Sequence, residues 1–270
     1  MTDVITSAAN PLIKRVRLLA DRRHRRRKGA FVVRGIQPVW QAVEAGADIE
    51  VLIVAPDLLR GPAVEMVAEQ EARGVRVARL SAELFGRIGD RDAPAGLAAI
   101  VRTRATVLDE LTVRPDSVFA ALYEVANPGN LGTIIRTADA AGAAGVILVG
   151  QCTDPYDPAA VKASMGAVFT VPVATVATPA EFLVWSRERG IAVAVTSGAG
   201  TGSLWETTLP QPLAILFGSE GAGLPDELLA AGDLRLRIPM TGTAESLNIA
   251  VATGVVLYEA WRQLRHKALS

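Results

Sequence analysis

Apolar residues along the chain come in two alternating patterns: clusters spaced like one face of a helix, and short continuous runs bounded by Gly, Pro or polar residues. After Asn10 and Pro11, a cap and a first helical residue, Leu12, Ile13, Val16 and Leu19 fall at helical spacing and predict a helix over 11–20. An arginine-rich run follows. Phe31-Val32-Val33 then reads as a strand, 36–45 as a helix, 51–55 as a strand, 62–73 as a helix and 75–80 as a third strand. A short helix over 82–88 and a strand over 97–101 complete a βαβαβαβ unit of small-domain size. Residues 103–115 are polar and unpatterned and read as a linker.

A second series starts at Val118. Strands over 118–125, 145–149, 168–173, 191–195, 213–217 and 234–238 are interleaved with helices over 131–143, 159–165 and 179–189. A long helix over 246–264 closes the series, with Ile249, Ala250, Val256, Leu257 and Trp261 toward the core. Strands this continuously apolar belong to parallel sheets buried on both faces. The expected fold class is α/β, with a smaller N-terminal domain over 1–105 and a second over 106–270.

Composition removes several classes. Of 270 residues, 50% are hydrophobic and 21% charged, which excludes a disordered chain. Cys152 is the single cysteine, so an intramolecular disulfide and a Cys-based zinc site are ruled out; His24 and His266 leave few ligands for a transition metal. The apolar runs fall well short of the ~20 residues that span a bilayer. Met1-Thr2-Asp3 opens no signal-peptide pattern, and the chain reads as cytoplasmic, with no metal and no membrane.

The net charge of zero hides an asymmetry. Residues 1–34 hold ten basic side chains against Asp3 and Asp21, a balance of +8; residues 35–110 carry −4 and residues 111–270 another −4. Lys14, Arg22, Arg23, Arg25, Arg26 and Arg27 sit in this basic leader, as a polyanion ligand requires. Charge alone leaves a solvated tail or a membrane surface as alternatives, and does not separate RNA from DNA.

Three segments of the second half follow predicted strand ends, where ligand sites of open α/β sheets collect. The first is Asn127-Pro128-Gly129-Asn130-Leu131-Gly132, with Arg136 six residues past Asn130. An Arg near exposed backbone N–H groups makes an anion or alkoxide pocket. The second, Phe217-Gly218-Ser219-Glu220-Gly221-Ala222-Gly223, has neither the Gly-x-Gly-x-x-Gly spacing nor a following Lys, and Glu220 would repel a phosphate. It suits a neutral or cationic ligand. The third runs from Ile238-Pro239-Met240 to Ser246-Leu247-Asn248, where Ser246 is the expected helix cap.

In this order the segments resemble the three motifs of the SpoU (TrmH-like) RNA 2′-O-ribose methyltransferases, a branch of the SPOUT superfamily, over residues 118–264. A looser likeness covers Ser7, Asn10-Pro11, Ile13-Lys14, the Arg cluster and Phe31-Val32-Val33-Arg34-Gly35. It looks like the N-terminal substrate-binding domain of the ribosomal-RNA members, a small α/β unit similar to a ribosomal protein. Arg34 and Pro94-Ala95-Gly96 stand where many relatives have Glu and Pro-Gln-Gly.

The resemblance implies a C-terminal SPOUT α/β trefoil-knot domain, an exception to unknotted topology. It further implies S-adenosylmethionine as cofactor, ribosomal RNA (23S foremost) as substrate, and a homodimer whose two subunits complete each site. Position by position, Gly218, Ile238 and Leu247 would hold the adenosyl moiety with Met240 beside it. Asn130, Arg136, Glu220, Ser246 and Asn248 would form the catalytic neighbourhood, Arg136 stabilising the 2′-alkoxide. A tRNA ribose methyltransferase and a non-catalytic RNA-binding assembly factor are the competing readings. A Rossmann dehydrogenase fails for want of the fingerprint.

Overall fold

The computed structural model describes residues 4–88, 95–198 and 200–269. Met1–Asp3 and Pro94, read above in the sequence, lie outside them. The chain forms two compact units. One contains the described residues up to Arg104 together with Tyr156–Phe169; the other contains Ala105–Pro155 and the residues from Thr170 onward. The 106–270 assignment differs here, because Tyr156–Phe169 belongs with the first unit.

The first unit holds α1 (Pro11–Leu18), α2 (Arg22–Lys28), β1 (Ala30–Arg34), α3 (Ile36–Glu44), β2 (Ile49–Val54), α4 (Pro62–Ala72), β3 (Val77–Arg79), α5 (Ala82–Gly86) and β4 (Leu97–Arg102). Its four strands lie in the order β1-β4-β2-β3, with β4 antiparallel to both neighbours and β2 parallel to β3. Alternation along each strand divides the core into two layers. Val32, Val51, Ile53, Ala98 and Ile100 face α1 and α5, burying Leu12, Ile13, Val16, Leu84 and Phe85. Phe31, Val33, Leu52, Val54, Ala99 and Val101 face the opposite layer of Val39, Met66 and Val67.

The arginine-rich run is helical. Asp21 caps α2 by accepting from the His24 N–H at 3.2 Å, and Gly29 ends it with a left-handed φ of 57°. Four basic side chains in the last turn complement the helix dipole, which supports a helix without apolar periodicity.

Between Met1 and Arg104 lies only part of this unit. Residues Pro158–Ser164 form α6′s later neighbour in sequence, and are best placed after the second unit's first elements: β5 (Val118–Tyr123), α6 (Pro128–Ala140), β6 (Gly145–Val149) and then α7 (Pro158–Ser164). α7 returns to the first unit, where Val161 joins the core and the Phe31 ring lies 4.5 Å from Tyr156 and 5.9 Å from Phe169. The strand expected over 168–173 is therefore absent. Ala167–Phe169 is a single 3₁₀ turn whose aromatic residue is drawn into this cluster, and the strand begins at Val173.

The second unit continues with β7 (Val173–Val176), α8 (Pro179–Glu188), β8 (Ala192–Thr196), β9 (Gly202–Ser203), β10 (Leu213–Phe217), α9 (Asp226–Ala231), β11 (Leu234–Arg237) and α10 (Ile249–Leu269). All its strand pairs are parallel, in the order β7-β6-β5-β10-β8-β11-β9. β5 and β10 are neighbours in space though 90 residues of chain separate Tyr123 from Leu213. The strand order reverses there, so a crevice opens beyond their carboxyl ends. Leu111, in the expected linker, is buried against this unit's core beside Phe119. Among the described residues, no helix is long and apolar enough to cross a membrane, and no group of three or more His, Cys, Asp or Glu could hold a metal ion.

Candidate active site

Four loops leave the carboxyl ends of β5, β8, β10 and β11. The first enters α6, with Asn127 as its cap: the Asn127 Oδ1 accepts from the Asn130 N–H at 3.1 Å, and Pro128 takes the first helical position. The cap places the Asn130 side chain in the first turn, next to the loop that follows β10.

That loop carries Glu220. Its Oε1 accepts from the Asn130 Nδ2 at 3.1 Å and from the Asn127 N–H at 3.3 Å, and its Oε2 accepts from the Ala126 N–H at 3.3 Å. Asn130 turns its Oδ1 to the Asn248 Nδ2, 3.2 Å away. Asn248 in turn accepts at Oδ1 from the Ala250 N–H at 2.9 Å, so Asn248 caps α10. The expected cap, Ser246, lies before the helix, because α10 begins at Ile249. Residues from three loops thus form one chain of hydrogen bonds, Glu220–Asn130–Asn248. Desolvation raises the Glu220 carboxyl, but bonds from Asn130 and from the N–H groups of Glu220, Ala126 and Asn127 outweigh it and hold the pKa below the usual glutamate value.

Beside this chain lies a cavity of about 560 Å³. Phe217, Leu224, Leu236, Ile238, Ile249 and Val256 give it apolar walls, while residues 218–223 and 245–248 supply polar edges. Gly218, Ile238, Met240 and Leu247 all line it, as do Glu220, Ser246 and Asn248. Met240 and Leu247 are among the exposed large apolar side chains of the chain, as residues at the mouth of a ligand site can be. Ser219 and Gly223 pair through two backbone hydrogen bonds of 3.1 Å, closing a tight turn. A Cβ on Gly218 would stand 2.2 Å from the Gly223 carbonyl carbon, so the turn closes only over a glycine.

Sequence reasoning missed Thr196, Ser197 and Gly198, which line the cavity after β8, and Glu245. The first three carry no motif; their signal was position alone, at the end of a strand beside β10.

Arg136 is not brought to this cavity. It lies six residues beyond Asn130 on α6, about 9 Å along the axis and about 120° around it. It is exposed, and among the described residues it makes no hydrogen bond or ion pair. Of the basic leader, Lys14, Arg22, Arg23, Arg26 and Arg27 are exposed. Arg25 is not: it is 2% exposed, and its guanidinium donates to the Leu19 and Ala20 carbonyls at 3.2 and 2.7 Å and to Asp157 Oδ2 at 3.4 Å. Asp157 also caps α7. Arg25 is a buried brace between α2 and α7, and it leaves the set of RNA-contact candidates.

An α/β chain with loop motifs gathered around an apolar, cation-poor cavity at the switch point of a parallel sheet defines a cofactor-binding enzyme of the SPOUT type. The chain belongs to the SpoU rRNA methylase family, which it matches over residues 117–258, and residues 10–99 match the MRM3-like substrate-binding domain. It is 34% identical to the 23S rRNA (uridine(2479)-2′-O)-methyltransferase of Streptomyces viridochromogenes, over 91% of this chain and 87% of that protein. The crystal structure of an AdoMet-bound rRNA methyltransferase from Sinorhizobium meliloti superposes with a TM-score of 0.89 at 39% identity, over 97% of this chain and 98% of that one. The SpoU methyltransferase AviRb from Streptomyces viridochromogenes, in complex with AdoMet, gives 0.84 at 33% identity, over 95% and 98%.

The activity that goes with this family is S-adenosylmethionine-dependent methylation of an RNA ribose 2′-hydroxyl. The cavity fits that cofactor on its own chemistry. Its walls suit an adenine ring, and among its described lining residues there is no Lys, Arg or His to oppose a sulfonium.

Proposed function

We propose that the protein methylates the 2′-hydroxyl of a ribose in 23S rRNA in the cytoplasm, acting as a homodimer whose C-terminal half is a trefoil knot. The observation that carries this reading is the convergence of Asn130, Glu220 and Asn248 beside the cavity lined by Gly218, Ile238, Met240 and Leu247. The names of its relatives support the ribosomal substrate, and the exposed cations of α2 suit an RNA backbone. The knot is supported by residues 238–248 lining the same cavity as residues 218–223, while α10 packs along α6.

Bound S-adenosylmethionine supplies a methyl group on a sulfonium, which passes to the ribose oxygen as the hydroxyl proton leaves. The chain's own residues position and stabilise. Glu220 fixes the Asn130 amide, and Asn130 and Asn248 hold the loops of the cavity together. Arg136 offers guanidinium N–H groups to the oxygen as negative charge develops; a guanidinium has no acceptor and is not the proton acceptor.

Arg136 lies away from the cavity of its own chain, which supports a site completed by a second copy. Val251, Tyr258 and Trp261 form an exposed apolar face on α10, suited to pack against that copy. Mixing tests this. Arg136→Ala and Glu220→Ala proteins should each be inactive alone. After subunit exchange, one of two sites in each heterodimer is intact, so about a quarter of wild-type methyl transfer to rRNA should return. A mixture as inactive as its components contradicts the shared site.

A further inference from the structure

The cofactor cavity carries more negative charge than its hydrogen bonding uses. Glu220 and Glu245 both line it, and no Lys, Arg or His is among its described lining residues. The two carboxylates differ. Glu220 is committed on both oxygens to Asn130 and to the N–H groups of Ala126 and Asn127. Glu245 is exposed at the cavity, and among the described residues it makes no hydrogen bond or ion pair. An uncommitted carboxylate at a ligand cavity biases it by the ligand's net charge.

That bias separates the two forms of the cofactor. S-adenosylmethionine carries a sulfonium, an ammonium and a carboxylate, a net charge of +1. The product S-adenosylhomocysteine has lost the sulfonium charge with the methyl group and is neutral overall. The two are otherwise nearly the same size and shape, so apolar walls and backbone contacts cannot tell them apart. Charge can.

We propose that Glu245 is a specificity-determining residue that favours S-adenosylmethionine over S-adenosylhomocysteine and so assists release of the product. The proposal rests on the cofactor reading above. It assigns the residue a long-range electrostatic part, with no direct bond to the reacting atoms. At separations of 6–8 Å in a partly solvated cavity, one such charge changes the ratio of the two affinities by about three- to ten-fold. Being solvent-exposed, it is screened as salt rises above about 0.1 M.

Isothermal titration calorimetry with the two compounds, on wild type, Glu245→Gln and Glu245→Asp, tests this. Glu245→Gln should weaken S-adenosylmethionine by about three- to ten-fold and leave S-adenosylhomocysteine unchanged, and the difference should shrink at high salt. Glu245→Asp keeps the charge and should keep most of the preference. Unchanged S-adenosylhomocysteine affinity shows that the cavity of the variant is intact. Equal loss for both compounds, or no change for either, overturns the proposal while leaving the cofactor reading standing. A wild-type protein that binds neither compound would overturn both.

Discussion

Asn130 and Glu220, 90 positions apart in sequence, are joined by a hydrogen bond of 3.1 Å from Nδ2 to Oε1. The bond fixes which way the amide of Asn130 points, and leaves its Oδ1 to accept from Asn248. Glu220 can do this because an ionised carboxylate only accepts, whereas a glutamine presents an oxygen and two N–H groups. Glu220→Gln should therefore lower methyl transfer by about 10- to 100-fold, the scale of a hydrogen bond to a charged group, with little change in melting temperature. Steady-state kinetics beside a thermal melt checks both.

The same carboxylate gives a pH dependence. Its folded pKa is depressed: desolvation raises it, but the bonds from Asn130 and the backbone N–H groups prevail. Its contribution is complete above the ordinary value of 4.5 and is lost as pH falls through the lowered one. Cofactor affinity of the wild type should fall in that acid range, and that of Glu220→Gln should lack this step. Calorimetric titration across the range reads the difference; parallel curves would contradict it.

Gly218 is defined by what surrounds it. Its missing Cβ leaves room for Gly223 and Leu224 to close the turn, where even a methyl group would sit 2.2 Å from a backbone carbon. Gly218→Ala should open the turn and weaken S-adenosylmethionine binding by about tenfold or more, while binding to RNA through the first unit is retained. Titration with cofactor, and separately with RNA, distinguishes these effects.

Arg25 and its neighbours on α2 should behave in opposite ways. Arg25→Ala removes a buried guanidinium and strands two carbonyls and Asp157, a loss of about 2–4 kcal/mol in unfolding free energy. Replacing Arg22, Arg23, Arg26 and Arg27 by Ala should cost little stability. It should flatten the salt dependence of RNA binding by about two to three logarithmic units per decade if each side chain meets a phosphate. Chemical denaturation and binding measured across a salt series separate the two roles.

The exposed face of α10 sets a test of assembly. Tyr258 and Trp261 rings lie 6.3 Å apart, and the Arg265 guanidinium sits 5.3 Å from the Trp261 ring centroid. Trp261→Glu places a charge on this face and should turn a dimer into a monomer of 28.4 kDa, read by light scattering. A wild-type protein that is monomeric while active would contradict the dimer.

The strand runs were legible because parallel strands buried on both faces read as continuous apolar sequence, as in Leu213–Phe217. The motif residues were legible because three loops carry unusual Asn, Glu and Gly residues at strand ends. Two things were not. The helix of α2 has no apolar period to detect, and its stability comes from the Asp21 cap and from charge at its last turn. The return of Tyr156–Phe169 to the first unit depends on contacts with Phe31 across more than a hundred residues, which no local pattern encodes. The inward turn of Arg25 is the same kind of event: five arginines in a row of seven residues look alike in sequence, and only the position of Asp157 separates one from the rest.

The most direct test of the central claim is to map ribose methylation at nucleotide resolution across ribosomal RNA from cells with and without the protein. The expected result is a 2′-O-methylated nucleotide in 23S rRNA that disappears with the protein, returns with the wild-type chain, and does not return with Arg136→Ala. Methylation that falls on a base or on tRNA, or an rRNA pattern indifferent to the protein, would contradict it.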